Sequence, residues 1–164
     1  MYFSMFPQMI YTLDDYQTGQ LVVDFLRRIQ LSKELKNTSA FFDEYDVQDG
    51  ETPESVASHI YGDTQFHWIV MLANEIIDPR YDWPQSQVNL IEYCKSKYGE
   101  SNLYASHHYV NSKGYEVNSD AAEAFSVSNF QFEDELNETK RRIKLIKPEV
   151  VSELVNNFEE LINR

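Results

Sequence analysis

The sequence predicts an α+β protein, on three observations. Short helical patterns with one apolar face recur along the chain, β-rich stretches stand between them, and Gly, Pro, Asp and Asn punctuate the joins. Neither pattern dominates, and there is no internal repeat or low-complexity tract. The 164 residues suffice for one ordinary domain, or for a small core with extensions. A hydrophobic content of 42% with 14% aromatics is enough to pack it.

Met1–Tyr11 (MYFSMFPQMIY) is uncharged and rich in Met, Phe and Tyr, and Pro7 opposes a regular helix there. So short a run cannot form its own core. It buries either against the rest of this chain or, as a terminal arm free to reach, against another protein, and the second is favoured. Val22, Phe25, Leu26 and Ile29 have the spacing of one helical face and predict a short helix over Leu21–Gln30.

The central elements are more sharply signalled. Tyr45–Val47 reads as a strand ended by the turn dipeptide Asp49-Gly50. Thr52 then caps a helix with Pro53 at its first position, Val56, Ala57, Ile60 and Tyr61 form its stripe, and Gly62 stops it. Asp63 or Thr64 caps a second helix, Gln65–Asn74. It carries Phe66, Ile69, Val70 and Ala73 on one face and Trp68 and Leu72 on another, so it should be buried on several sides. These two helices are the expected hydrophobic centre.

Asp78-Pro79 and Asp82-Trp83-Pro84 are turn signals around Tyr81 and Trp83. Pro84 suits a helix start, and Val88, Ile91, Cys94 and Tyr98 carry a helical stripe up to Gly99. Tyr104–Val110 and Tyr115–Val117, joined through Asn111-Ser112-Lys113-Gly114, predict a β-hairpin, and Asn118–Ser128 reads as loop. Arg141–Ile146 alternates charged and aliphatic residues like a half-buried strand. Pro148 opens a last helix with Val151, Leu154, Val155, Phe158, Leu161 and Ile162 on its apolar face. Three segments result: an N-terminal arm and helix (1–42), a strand-helix-helix core (43–80), and a helix, hairpin, strand and terminal helix that pack on it (81–164).

The formal charge of −13 opposes binding to nucleic acid and to anionic membranes. No lysine or arginine occurs between Asn37 and Pro79, where acids abound, whereas Lys140, Arg141, Arg142, Lys144 and Lys147 crowd one stretch. Such zones are either solvated faces or patches that mate with oppositely charged neighbours. The N-terminus reads poorly as a signal peptide, no run has the length of a membrane span, and the single Cys94 excludes an internal disulfide. Chemistry is sparse. His107 and His108, adjacent on a strand, should point to opposite faces and not share a metal. The acids are explained by turns, caps and polar helix faces, and no nucleophile motif or phosphate loop is present. No catalytic, cofactor or metal residues are therefore expected. The candidate partner interface is Tyr2, Phe3, Phe6, Tyr11, Tyr81, Trp83, Lys140, Arg141 and Arg142.

The segment YDVQDGETPESVASHIYGDTQFHWIVMLAN (Tyr45–Asn74) resembles a LysM domain: short strand, D-G-E-T-P turn and cap, a helix ending in Tyr61-Gly62, and a second helix with Trp68 ending at Asn74. That family runs strand, helix, helix, strand, and many members bind N-acetylglucosamine glycans, which makes a peptidoglycan-binding module the alternative function. The sequence departs at the closing strand, for which only Ile76-Ile77 could stand. The longer stretch IYGDTQFHWIVMLANEIIDPRYDWP (Ile60–Pro84) is similar to the baseplate wedge family of contractile-tailed bacteriophages, most specifically in the Trp68–Asn74–Asp78-Pro79 spacing with Asp82-Trp83-Pro84. VVDFLRRI (Val22–Ile29) and NETKRRIKLIKP (Asn137–Pro148) also fit. The resemblance implies a non-enzymatic virion component of the tail baseplate, assembled in the host cytoplasm. It would join neighbouring wedge subunits and self-associate within the assembly.

Overall fold

The computed structural model describes residues 6–12, 19–24, 30–31, 36 and 38–162. Helix and strand are mixed throughout, as the α+β reading requires. In chain order the elements are β1 (Gln8–Tyr11), β2 (Gln20–Val23), β3 (Phe42–Asp46), α1 (Pro53–Tyr61), α2 (His67–Ala73) and the single turn α3 (Pro79–Asp82). There follow α4 (Gln87–Tyr98), β4 (Ser106–Val110), β5 (Glu116–Val117), β6 (Phe125–Ser128), α5 (Asn129–Glu138), β7 (Arg142–Ile146) and α6 (Pro148–Ile162). The strands form three small sheets, β1-β2, β3-β7 and β5-β4-β6.

The chain divides into two compact units, one of residues 1–45, 52–77 and 144–164 and a second of 46–51 and 78–143. Both are discontinuous in sequence. The terminal helix belongs with α1 and α2, not with the hairpin that precedes it.

In the first unit local signals act as the sequence suggests. Thr52 and Ser55 form a reciprocal capping box at the start of α1, with Pro53 in the first turn, and Gly62 closes it in the left-handed region at φ 76°. Asp63 caps a 3-10 turn over Thr64–Phe66, so regular α-helix begins only at His67. The core gathers Trp68 and Ile69 from α2, Ile146 from β7, Val151, Phe158 and Ile162 from α6, and Phe6 and Leu31. The Trp68 ring lies 4.6 Å from that of Phe158, and Phe6 meets Phe158 edge-on at 6.2 Å. Leu161, expected on the apolar face of α6, instead faces out.

Two expectations are corrected here: Asn118–Ser128, read as loop, ends in the strand β6, and the first expected helix gives way in part to a strand. Leu21–Val23, placed in a helix by spacing, lie on β2, where Gln20–Val23 pair antiparallel with Gln8–Tyr11. The helical pattern rested on four positions, and adjacent Val22 and Val23 favour a strand once Met9-Ile10-Tyr11 offers them a partner. Phe25, Leu26 and Ile29 lie outside the described residues. Nor do Ile76-Ile77 close the central sheet, since Ile77 is 90% exposed. The strand beside β3 is β7, from far along the chain. Asn74 explains why the chain can turn away. Its side-chain amide donates to Lys144 O at 2.8 Å and accepts from Lys144 N at 2.8 Å, serving β7 as one residue of a neighbouring strand would.

Tyr61, at the end of α1, donates its hydroxyl to Ile146 O at 2.9 Å. Burial pushes its phenol up to about 12 against the lowering effect of that carbonyl. Two outcomes follow. Trp68→Ala should lower the unfolding free energy by about 3–5 kcal/mol in urea titration, whereas an unchanged midpoint would mean that the core lies elsewhere. Because the folded phenol resists ionisation more than the unfolded one, its contribution holds below pH 10 and is lost as pH climbs toward about 12. Tyr61→Phe should flatten that alkaline loss in thermal melts.

Candidate functional site

The second unit is organised by a helix that hydrophobic periodicity does not reveal. α5 follows the stretch read as loop and falls where the sequence suggested no element, yet Ser128 caps it and Gln131 returns the bond in a full capping box. Its buried stripe is polar: Asn129, Glu133 and Asn137, spaced four apart, are the buried polar residues among those described. Each grips a different segment. Asn129 donates to Asn102 O at 2.8 Å. Glu133 Oε1 accepts from Lys97 Nζ and from the Tyr98 hydroxyl, both at 2.6 Å. Asn137 accepts from Gln85 N at 2.7 Å and donates to Gln85 O at 2.9 Å. The accompanying apolar cluster is small: Leu90, Cys94 and Leu103, with Tyr98 and Phe130 against them.

Burial alone would raise the Glu133 carboxyl, but the bonds from Lys97 and Tyr98 outweigh it and hold the group below its ordinary value. Lys97 is correspondingly raised, chiefly by its bond to Glu133. Its ammonium lies 5.1 Å from the Tyr98 ring centre and 5.6 Å from that of Tyr93. Beside this pair is a cleft of about 310 Å³ reaching from Tyr81 and Gln85 to Leu136 and Lys140.

The candidate interface residues meet different fates. Tyr2 and Phe3 lie outside the described residues. Tyr11 is half exposed on β1 and Tyr81 is 67% exposed at the cleft. Phe6 is buried against Phe158, so that ring serves the chain's own core. Trp83 is 5% exposed, and its indole N–H donates to Glu51 O at 2.7 Å. Turn signals on either side suggested a surface position, but the ring is turned inward and its one polar atom is satisfied. Arg141 is likewise engaged at home: it bonds Glu138 at 2.5 Å, Asp49 at 3.3 Å and Val47 O at 3.2 Å. Lys147 lies 3.9 Å from Asp43, and Arg142 is exposed on β7. Part of the basic stretch therefore pairs with acids of this chain. Lys140 lines the cleft, its ammonium donating to Tyr81 O at 2.7 Å.

A family model described as base plate wedge protein 53 matches residues 1–124, three quarters of the sequence. The chain belongs to that family. A baseplate wedge protein, gp53 of Enterobacteria phage T4, is 33% identical over 54 residues, which cover 33% of this chain and 28% of that protein.

This wedge-family chain shows two features that sequence reasoning misjudged or left open. His107 and His108 do not diverge. A register irregularity in β4 between Ser106 and His108 brings their Nδ1 atoms to 3.0 Å. Their ring centres are 5.2 Å apart, which leaves only a ring radius on each side, so the two nitrogens face each other. The described residues contain no cluster of three potential metal ligands. His107 is also stacked on Phe132 at 4.0 Å. The rings that a glycan-binding reading would use, Trp68 and Tyr61, are both engaged in the core of the first unit.

Trp83→Ala should cost about 3 kcal/mol in chemical denaturation, as other large buried truncations do; no loss would place that ring outside the core. Since Glu133 is depressed in the folded chain, its contribution stands at neutral pH and fades as pH falls below the ordinary carboxylate range. Glu133→Gln should remove part of that acid sensitivity from the unfolding free energy, and an unaltered pH profile would show that the carboxylate carries none of it.

Proposed function

We propose that this protein is a structural component of a phage tail baseplate, held there by protein–protein contacts and performing no catalysis. Membership in the baseplate wedge family supports this reading, as does the low density of reactive groups. The finer proposal is that the chain links neighbouring wedge subunits in the virion, after synthesis and assembly in the host cytoplasm.

The observation that carries the contact surface is the β1-β2 hairpin. Gln8–Thr12 and Gly19–Val23 hold no charge, in a chain with 27 acids and 14 Lys and Arg residues. Ile10 is 73% exposed and Leu21 64%, with Tyr11 and Met9 also outward. A two-stranded hairpin is marginal on its own. Edge strands that must stay unpaired are commonly guarded by charge or proline, and Gln8–Thr12 and Gly19–Val23 have neither. Packing is close: a Cβ at Gly19 would lie 2.3 Å from Ile10 Cγ2. Exposed apolar strands without guards suit burial against another protein.

The double variant Ile10→Asp, Leu21→Asp tests it in phage particles. Incorporation into purified tails, read by mass spectrometry, should fall at least tenfold while the isolated chain melts at the parent temperature. Full incorporation would remove the hairpin from the contact surface.

A further inference from the structure

We propose that the cleft of the second unit is a receptor for an acidic side chain of a partner protein, carried on a peptide with an apolar or aromatic residue beside it. This deepens the structural reading above and rests on it.

The lining sorts into three kinds of group. Tyr81, Tyr93 and Leu136 are large apolar side chains left exposed, and all three rim this one cleft, with Leu90 buried beneath. Aromatic and aliphatic groups gathered around a concavity are where protein contacts concentrate their affinity. Two ammonium groups, Lys97 and Lys140, line the same space against the single carboxylate of Glu133. That carboxylate is already committed to Lys97 and the Tyr98 hydroxyl. Lys140 rests on a carbonyl and has no carboxylate partner among the described residues. The cleft is thus locally positive in a chain of net charge −13. An ammonium has three donors, and the Lys140 bond to Tyr81 O uses one of them. What complements the space is a carboxylate on an apolar stem.

A further atom points to a peptide and not to a free anion. Gln85 Oε1, in the wall of the cleft, is the buried side-chain polar atom without a hydrogen-bond partner among the described residues. An unsatisfied acceptor is costly, and a small adjustment of the wall would let the main-chain N–H of an incoming peptide serve it. The wall is otherwise fixed, because Asn137 holds both main-chain groups of Gln85. At about 310 Å³ the cleft has room for one or two side chains and not for a folded domain. An extended phosphate backbone is opposed by the charge of the whole chain.

Amide-resolved NMR titration of the full chain with acetyl-Tyr-Glu-Leu-amide tests the assignment, beside the same peptide carrying Gln for Glu and beside inorganic phosphate. Saturating shifts are expected at residues 81–97 and 133–140 with the acidic peptide, at least tenfold weaker binding of the Gln peptide, and no matching response to phosphate. Lys140→Gln, whose folding is checked by the same spectra, should weaken the acidic peptide at least fivefold. Equal binding of the two peptides, equal response to phosphate, shifts elsewhere only, or no effect of Lys140→Gln overturns the proposal. Loss of particle incorporation through hairpin changes, with no peptide bound at the cleft, would overturn the cleft alone and leave the structural role standing.

Discussion

The second unit depends on the polar stripe of α5. Beside the buried apolar residues of that unit, Val47, Trp83, Leu90, Cys94, Leu103 and Ile143, the three buried polar side chains of one helix tie its segments together. Asn129, Glu133 and Asn137 reach in succession to the turn after α4, to its last turn, and to the segment before it. Each finds a hydrogen-bond partner, which is the condition under which burying polarity stabilises a fold instead of weakening it. Directional bonds also fix the register of α5 against its neighbours more narrowly than interchangeable aliphatic contacts can.

The first unit reaches a comparable end by other means. There the aromatic and aliphatic side chains of α2 and α6 supply the bulk of the packing, with Trp68 against Phe158 at the centre. Still, the strand β7 is completed by an amide, Asn74, using the same two-way bond to a main-chain residue that Asn137 makes with Gln85. An asparagine at the end of a helix or on its buried face can substitute for a strand neighbour. Both units use that device where the chain has no strand to give.

Elements announced by local chemistry were legible in the sequence. Thr52-Pro53 and Gly62 bracket α1 through capping and backbone preference, effects that need nothing distant. β7 and α6 were equally plain, because alternation in the one and a long apolar face in the other are local patterns that the fold kept. α5 was hidden because apolar spacing was the signal sought, and its buried face carries Asn and Glu; the Ser128–Gln131 capping pair was the trace that remained. The pairing of β3 with β7 could not be seen either, since register across so long a separation leaves no local mark. Among the site residues, Trp83 and Arg141 were misplaced for one reason. Turn signals and clustered charge report what surrounds a residue in sequence, whereas its exposure is decided by partners such as Glu51 O and Asp49.

The division of labour is consistent with a component built for assembly. Reactive groups are absorbed into structure: Cys94 is buried, the histidine pair is stacked and mutually bonded, and the buried carboxylate is neutralised. Among the large apolar side chains that stay outward are those of the uncharged hairpin and of the tyrosine-rimmed cleft. The central claim, that polar contacts of α5 hold the second unit as one cooperative body, is tested most directly by amide hydrogen exchange in Asn137→Ala. The account predicts that protection falls by a common factor across Gln87–Tyr98 and Asn129–Glu138. Loss confined to the last turn of α5, with α4 as protected as in the parent, would contradict it.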